Sequence, residues 1–235
     1  MSFLKAEWRK LIMINYQVNP EILFPYLPKG TELDYHNNAC FVSVVGFMFL
    51  NTKLLGVKIP GHVNFEEVNL RFYVKRKEGE QFKRGVVFIK EIVPKPAITF
   101  VANTIYKENY QTLPMKHNWL LEDKKMITSY QWKTKNIWNT ITVESEKNTL
   151  PIQPNTEIEF IAEHYWGYAK NKHKTTEYEV RHPTWKYYPV LNYEINVNFE
   201  KTYGREFSFL EKEKPNSVFL LEGSEISVEN KKNLH

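Results

Sequence analysis

The chain has 235 residues, 42% hydrophobic and 15% aromatic, which is enough apolar material for a substantial core. Its 32 basic and 27 acidic residues give a charge of +5, and the basic residues are scattered, which argues against a nucleic-acid-binding surface. The single cysteine, Cys40, excludes an internal disulfide and is typical of a reducing compartment. Because we find no apolar span of about 18 residues and no signal-peptide pattern, we predict a cytoplasmic protein that does not bind membranes.

The first 50 residues predict strands and one short helix. Runs of β-branched and aromatic residues predict strands at residues 11–16, 31–34 and 40–50, and Pro20 after Asn19 predicts a helix at 20–27. The run at 40–50 is almost continuously apolar, as in a strand that is buried on both faces, so we expect it in the centre of a sheet.

Residues 63–74 predict a strand with two different faces. Val68, Leu70 and their even-numbered neighbours form an apolar face, while Glu67, Asn69 and Arg71 follow one another at about 7 Å intervals on the opposite face. The polar face could meet solvent or line a cavity. We expect Glu67 and Arg71 to face the interior, each with a hydrogen-bonding partner, because an unpaired buried charge is unfavourable.

The segment 84–118 combines a strand, a helix and a polar turn. The strand is predicted at 84–93, and Pro96 with an apolar stripe at i and i+4 predicts the principal helix at 96–108. After a proline turn, Lys116 lies between Met115 and His117, where a reactive amine could be placed.

The remaining strands are short and regularly spaced, which is typical of a sandwich or a barrel. They are predicted at 127–133, 137–144, 156–161, 177–182, 191–199, 207–210 and 218–221. No linker divides the chain, so we predict a single domain over residues 1–235, with residues 223–235 as a disordered tail.

The sequence lacks the motifs of several kinds of functional site. The histidines, at positions 36, 62, 117, 164, 173, 182 and 235, lack metal-binding spacing, and we find neither a glycine-rich phosphate loop nor a GxSxG elbow. We therefore predict no metal and no cofactor. The segment EHYWGY, at 163–168, could form a binding wall or pack as a strand end. The candidates that remain for chemistry are Glu67, Arg71, Glu108, Lys116 and His164.

Five ordered blocks carry a resemblance to a known family: FEEVNLRFYV (65–74), RGVVFIKEIVP (84–94), YKENYQTLPMKH (106–117), EHYWGY (163–168) and EVRHPTW (179–185). From about residue 4 to residue 222 the chain resembles the YqjF-like family, bacterial proteins with a domain of unknown function. The resemblance implies a mainly β fold of the acetoacetate decarboxylase-like type. Such a fold is an antiparallel twisted β-barrel or double sheet with a few short helices and an interior cavity.

The same resemblance bears on activity. Acetoacetate decarboxylases act through a lysine that forms a Schiff base with the substrate. In this chain Met115 occupies the position that matches the reactive lysine, and Lys116 matches its neighbour. The resemblance therefore implies that acetoacetate decarboxylase activity is absent. Glu67 matches an acidic residue of the decarboxylase pocket, which implies that the pocket itself is retained.

Our hypothesis is a protein that binds a small organic acid in its cavity. Arg71 and Lys116, the latter as an ammonium group, would be the counter-charges, and Glu67 or Lys116 would be the candidate for catalysis. The expected ligand-binding residues are Glu67, Asn69, Arg71, Tyr110, Lys116, His117, His164 and Tyr165. One alternative is a lyase-type enzyme that acts on a keto acid through Lys116, and a second is a structural or partner-binding protein without a ligand. A homo-oligomer is compatible with all three.

Overall fold

The computed structural model describes residues 2–171 and 174–234, so Met1, Lys172, His173 and His235 lie outside the described residues. The described chain is mainly β. Its strands are β1 (Leu4–Gln17), β2 (Glu32–Leu33), β3 (Phe41–Leu54), β4 (Phe65–Glu78), β5 (Gln81–Val93), β6 (Tyr110–Thr112), β7 (Met115–Leu121), β8 (Met126–Thr134), β9 (Ile137–Ser145), β10 (Leu150–Pro151), β11 (Trp166–Asn171), β12 (Lys174–Arg181), β13 (Lys186–Tyr188), β14 (Val190–Asn196), β15 (Ser217–Val228) and β16 (Lys232–Leu234). Its helices are α1 (Pro96–Val101), α2 (Glu157–Ala162) and α3 (Phe199–Tyr203).

The strands form one large sheet and one small sheet. The order in the large sheet is β10-β13-β15-β1-β3-β4-β5-β11-β12-β16, and β12 also pairs with β15, so the path of pairings returns on itself. Most neighbours are antiparallel, but β5 pairs in parallel with β6 and with β11. The expectation that residues 40–50 form a central strand is confirmed, since β3 lies between β1 and β4. The small sheet has the order β14-β9-β8-β7.

The large sheet has two buried faces with different roles. The outer face includes Val68, Leu70 and Phe72 of β4, which belong to one apolar cluster with Tyr130 and Ile141 of the small sheet. This cluster buries the outer face beneath the small sheet. The opposite face, here called the cavity face, carries Phe47, Phe65 and Tyr73 and packs against α2.

Gly46 of β3 marks the closest approach of the two sheets. A Cβ atom at this position would lie 2.8 Å from Ile141 Cδ1 and 2.9 Å from Tyr130 Cδ2, closer than carbon atoms can approach. The absence of a side chain at Gly46 therefore allows the small sheet to cover β3.

Two of the predicted strands are helical in the structure. Residues 156–161 form α2, because Thr156 Oγ1 accepts a hydrogen bond from Glu159 N (3.4 Å) and Glu159 Oε2 accepts one from Asn155 N (2.6 Å). This Thr-x-x-Glu pattern is a helix-start signal that outweighs the β propensity of the segment. Residues 207–210 lie in the 3₁₀ segment Arg205–Glu211, where Phe207 and Leu210, three residues apart, are both buried.

The helix predicted at 20–27 is replaced by two single 3₁₀ turns, Pro20–Ile22 and Phe24–Tyr26. Pro25 at the start of the second turn has no N–H, which prevents a regular helix from continuing through it. The principal helix was predicted nearly correctly. α1 continues as the π-helical segment Ala102–Tyr106, and Lys107, with φ of 63°, ends it.

The expected disordered tail is wrong for residues 223–234. β15 continues to Val228, where it pairs with Leu4 of β1 and with Val180 of β12, and Ile226 is buried. β16 then adds to the free edge of β12. Apolar residues at alternate positions of an otherwise polar segment were sufficient to anchor it. None of the helices within residues 2–171 and 174–234 has the length and apolarity needed to cross a bilayer.

Candidate functional site

A cavity of about 170 Å³ lies on the cavity face of the large sheet. It is smaller than the roughly 300–1,000 Å³ of pockets that hold drug-sized ligands, so its size suits a small molecule. Its walls come from β1, β3, β4, β5, β11, β12 and the first helix with its π-helical extension.

One part of the wall is aromatic. Phe49 of β3 is opposite Phe65 of β4, and their rings stack with centroids 4.7 Å apart. Trp8 packs against Phe47 and Phe49, at centroid distances of 5.1 and 5.7 Å. Offset and edge contacts of this kind make a rigid apolar surface.

The polar part of the wall begins with the alternate residues of β4. Glu67, Asn69 and Arg71 are only 2%, 1% and 8% exposed, which confirms that they face the interior. Glu67 Oε1 accepts a hydrogen bond from Asn69 Nδ2 (2.9 Å), and its Oε2 accepts one from Tyr110 Oη (3.0 Å). Arg71 Nη2 donates to the carbonyl oxygen of Ile161 (3.3 Å) at the end of α2. Both charged residues therefore have the partners that were expected.

A β-bulge in β5 brings a second carboxyl group into the cavity. Leu70 of β4 is opposite Lys90, but the next residue, Arg71, is opposite Phe88, so Ile89 is an extra residue in β5. After the extra residue, the positions of β5 that face the cavity are shifted by one. Phe88 before it and Glu91 after it both line the cavity, whereas Lys90 points away and donates to Thr202 O.

The end of the first helix supplies a third carboxyl group. Lys107 has a left-handed backbone, and beyond it Glu108 turns towards the cavity, where its Oε1 accepts a hydrogen bond from Tyr178 Oη (2.8 Å). The turn is fixed by Asn103, whose Nδ2 donates to Tyr110 O (2.9 Å) and whose Oδ1 accepts from Tyr110 N (2.7 Å). Tyr110 is thereby held beside Glu67.

Burial determines the protonation of these three carboxyl groups. It raises the pKa of Glu67 to about 7, although the hydrogen bonds from Asn69 and Tyr110 and the charge of Arg71 act in the opposite direction. Burial, with a contribution from the charge of Glu67, raises the pKa of Glu108 to about 8. Burial and the charges of Glu108 and Glu67 raise the pKa of Glu91 well above its usual range. At and below neutral pH the cavity therefore holds mostly protonated carboxyl groups.

A second polar cluster joins Asp34, Arg84 and His164. Arg84 Nε donates to Asp34 Oδ2 (2.7 Å), and His164 Nε2 lies 3.2 Å from the same oxygen. Burial opposes ionisation, but the hydrogen bonds from His164 and Arg84 lower the pKa of Asp34 to about 2. Burial lowers the pKa of His164 to about 4, and its hydrogen bond to Asp34 only partly offsets this. His164 is therefore neutral at physiological pH.

Several buried polar atoms of the lining residues have no partner among the described residues. They are the potential donors Arg71 Nε and Trp8 Nε1, the potential acceptors Asn69 Oδ1, Glu91 Oε2 and His164 Nδ1, and the hydroxyl oxygen Thr52 Oγ1. Because buried polar groups are nearly always hydrogen-bonded, such a concentration at one cavity indicates a ligand or ordered water. The described ranges contain no group of three or more His, Cys, Asp or Glu side chains that could hold a metal ion.

The structure does not bring three of the expected ligand-binding residues to the cavity. Lys116 and His117 lie on β7 of the small sheet, on the other side of β4. The Nζ of exposed Lys116 is 4.8 Å from the ring centre of Trp138, and His117 Nδ1 is 2.7 Å from Glu66 Oε1, on the outer face. Tyr165 donates to Glu163. The proline turn before Lys116 thus leads the chain out to the small sheet, not into the cavity.

Among the cavity residues that sequence reasoning missed are Glu91 and Tyr178. Glu91 was not among the expected residues, because simple alternation along 84–93 does not anticipate the bulge that turns Glu91 to the same face as Phe88. Tyr178 was missed because its position depends on Gly167, which is opposite it in the sheet. A Cβ atom at Gly167 would lie 2.2 Å from Tyr178 Cζ, so only glycine allows the tyrosine ring to cross the neighbouring strand. The glycine in EHYWGY was the available signal.

Comparison with solved structures defines the class of fold. The chain is similar to acetoacetate decarboxylase from Legionella pneumophila, with a TM-score of 0.65 and 13% identity over 99% of this chain and 87% of that one. It is also similar to the enduracididine biosynthesis enzyme MppR in complex with pyruvate, with a TM-score of 0.69 and 10% identity over 100% of this chain and 91% of MppR. The fold is therefore acetoacetate decarboxylase-like.

Sequence comparison identifies the family. The model of the DUF2071 family, described as an uncharacterized conserved protein, matches residues 5–225, and the chain belongs to this family. Uncharacterized protein YqjF of Bacillus subtilis (strain 168) is 28% identical over 114 residues, which are 48% of this chain and 46% of YqjF. The match thus spans about half the length of that relative.

Proposed function

We propose that the cavity binds a small organic acid and that Arg71 is its counter-charge. The observation that carries the proposal is the position of this side chain: Arg71 is the only lysine or arginine among the described residues that line the cavity. Its guanidinium group is held by Ile161 O through one nitrogen, while the buried Nε has no partner in the described chain. A carboxylate can accept hydrogen bonds from two adjacent guanidinium nitrogens. A ligand carboxylate would therefore supply the acceptor that Arg71 Nε lacks in the described part of the protein.

The charge balance of the cavity supports an anion. With Glu67, Glu91 and Glu108 mostly protonated near neutral pH, the charge of Arg71 is only partly compensated by the protein. A monoanionic ligand would complete the compensation. A protonated carboxyl group also has an O–H that can donate to a ligand oxygen, so these groups need not repel an acid.

The fold neighbours agree with this class of ligand. MppR has the same fold and has been solved in complex with pyruvate, a small organic acid. The position of Lys116 does not support the alternative of a lyase that acts through a Schiff base, because this side chain is exposed on the outer side of the molecule. The open volume in the cavity also favours a ligand over a purely structural role.

The proposal can be tested by calorimetric titration with short 2-oxo and 2-hydroxy acids at pH 6.5, and by tryptophan fluorescence, since Trp8 and Trp166 line the cavity. We expect Arg71→Met to weaken binding about 10- to 150-fold, because a hydrogen bond to a charged group contributes about 1.5–3 kcal/mol. The matched control is Arg76→Met, since Arg76 is also largely buried in β4 but binds Glu177 away from the cavity.

Equal affinity of the Arg71→Met variant and the unmodified protein would refute the role of Arg71. Absence of heat and of a fluorescence change with every acid would refute the binding function. The cytoplasmic location, the lack of nucleic-acid binding and a homo-oligomeric state stay predictions from the sequence.

A further inference from the structure

We propose that the ligand is a 2-hydroxy acid with an apolar side chain and that His164 distinguishes it from the corresponding 2-oxo acid. This inference rests on the proposed function, because it assumes that Arg71 binds the carboxylate. It concerns the second functional group of the same ligand, and it differs from what the fold neighbours suggest, since pyruvate is a 2-oxo acid.

The hydrogen bonds of Asp34 decide which nitrogen of His164 carries the proton. Asp34 Oδ2 already accepts a hydrogen bond from Arg84 Nε, and an ionised carboxylate beside a guanidinium group can only accept. His164 Nε2, 3.2 Å from the same oxygen, must therefore be the donor. In a neutral imidazole the other nitrogen, Nδ1, is then an acceptor.

This acceptor is left unsatisfied by the described part of the protein. His164 lines the cavity and is buried, and Nδ1 has no hydrogen-bond partner among residues 2–171 and 174–234. Because Asp34, itself bound by Arg84, accepts from Nε2, the ring cannot exchange its nitrogens without losing a buried hydrogen bond. The wall of the cavity thus contains an oriented lone pair that the described residues leave unsatisfied.

Arg71 and His164 lie in the same part of the cavity wall. Both contact the ring of Tyr73: the Arg71 guanidinium carbon is 5.6 Å from its centre, and the His164 ring centre is 4.8 Å from it. Arg71 also binds Ile161 O, three residues before His164. These shared neighbours suit a ligand that has a carboxylate for Arg71 and a second polar group on the adjacent carbon for His164.

The chemistry of that substituent follows from the lone pair on Nδ1. A hydroxyl group can donate a hydrogen bond to it, whereas the oxygen of a ketone has only lone pairs and would leave both buried acceptors unsatisfied. Sites that hydrogen-bond a hydroxyl group strongly reject the analogue that lacks it. The aromatic wall of Phe47, Phe49 and Phe65 then offers space for an apolar side chain.

A matched pair of ligands tests the inference: 4-methyl-2-hydroxypentanoate and 4-methyl-2-oxopentanoate, which have the same charge and carbon skeleton and differ only at carbon 2. Dissociation constants would be measured by calorimetry for the unmodified protein, for His164→Phe and for Arg71→Met. We expect the unmodified protein to prefer the hydroxy acid at least tenfold, and His164→Phe to reduce this ratio to about one while it still binds the oxo acid. His164→Gln, whose amide can donate or accept, should also lose the preference, and it serves if the phenylalanine variant does not fold.

The possible results distinguish the role of His164 from the proposed function. Binding of both acids that depends on Arg71, but without preference for the hydroxy acid, would overturn the role of His164 and leave the proposed function intact. A preference that persists in both folded His164 variants would do the same. If neither acid binds, or if binding is unchanged in Arg71→Met, the proposed function fails, and the inference fails with it.

Discussion

Glutamate side chains in two regions of the large sheet have different surroundings. On β12, Glu177 is only 1% exposed, and two cations meet it: Arg76 Nε donates to Oε2 (2.8 Å) and Lys83 Nζ donates to Oε1 (3.3 Å). In the cavity, Glu67, Glu91 and Glu108 share a single cation, Arg71. The first region has two cations for two carboxylates, because Arg76 and Lys83 also pair with Glu78, whereas the second has one cation for three carboxyl groups.

The difference separates a structural site from the site that we propose for a ligand. Both carboxylate oxygens of Glu177 accept hydrogen bonds from cations of the protein, so Glu177 links β12 to β4 and β5 and requires no ligand. The cavity has too few cations to keep all of its carboxyl groups ionised, so these groups remain protonated. Their protonation state therefore responds to pH and to bound molecules. Four predictions test this distinction.

The largest effect is expected at the paired site. Arg76→Met should lower the free energy of unfolding by about 3–4 kcal/mol, because loss of one partner leaves a buried charge undercompensated. Ligand affinity should not change. The control is Arg181→Met, which removes an exposed ion pair with Glu179 and should cost less than about 1 kcal/mol. Urea denaturation measures both, and similar losses in the two variants would show that the Glu177 site is not a structural centre.

Neutralising a carboxyl group should have opposite effects in the two regions. The pKa of Glu67 is raised in the folded state from 4.5 to about 7, so stability is lost as pH rises from about 5 to 8, and the loss from this group reaches about 3 kcal/mol at pH 8. Glu67→Gln should therefore stabilise the protein by up to that amount at pH 8 and hardly at all at pH 5.

Glu177→Gln provides the matched comparison, since it should destabilise the protein by about 2 kcal/mol at pH 8 through loss of its charged hydrogen bonds. Urea denaturation at pH 5 and pH 8 would measure both variants. If the two variants change stability with the same sign at pH 8, the distinction between the regions does not hold.

The binding of an organic acid should weaken as pH rises. Between pH 6 and pH 8.5, first Glu67 and then Glu108 lose their protons, in accordance with pKa values of about 7 and about 8, and the new negative charges repel a carboxylate ligand. We expect affinity to fall about tenfold, or about 1.4 kcal/mol, measured by calorimetry at constant ionic strength. In Glu67→Gln the decrease should be smaller and should begin at higher pH. An affinity that rises with pH would contradict the assigned protonation states.

The smallest effect concerns a single hydroxyl group. Tyr178→Phe removes the hydrogen bond to Glu108 and should cost about 1 kcal/mol. Tyr203 offers a control, because its buried hydroxyl has no partner within the described part of the chain, and Tyr203→Phe should be neutral or slightly stabilising. Thermal unfolding compares the stability of the two variants. Equal changes in stability would show that the hydrogen bond between Tyr178 and Glu108 does not stabilise the protein.

The sequence was sufficient for features that depend on one strand. Alternation along β4 predicted the buried row Glu67, Asn69 and Arg71, because one residue of each pair must face each side. The sequence was not sufficient where the direction of a side chain depends on another strand or on a bulge that reverses the alternation. Glu91 needs the bulge, and Tyr178 needs the gap at Gly167, neither of which periodicity reveals.

Local propensity also gave the wrong result where hydrogen bonds at the start of a segment decided its structure. Residues 156–161 have strand-like composition, but Thr156 and Glu159 satisfy the first N–H groups of a helix. The placement of Lys116 failed for a different reason. The matched motif specified which residue follows the proline turn, but it carried no information on which sheet the chain enters afterwards.

The bulge at Ile89 has a consequence for sequence alignment. A β5 strand without the extra residue would present the same two inward side chains with one residue fewer between them, two positions apart where Phe88 and Glu91 are three apart. An alignment of distant relatives that forbids a gap here would pair Glu91 with an outward residue of the other protein. At about 10% identity, as with MppR, such a shift is invisible to residue matching. Corresponding cavity positions on this strand must therefore be compared by superposition of the structures.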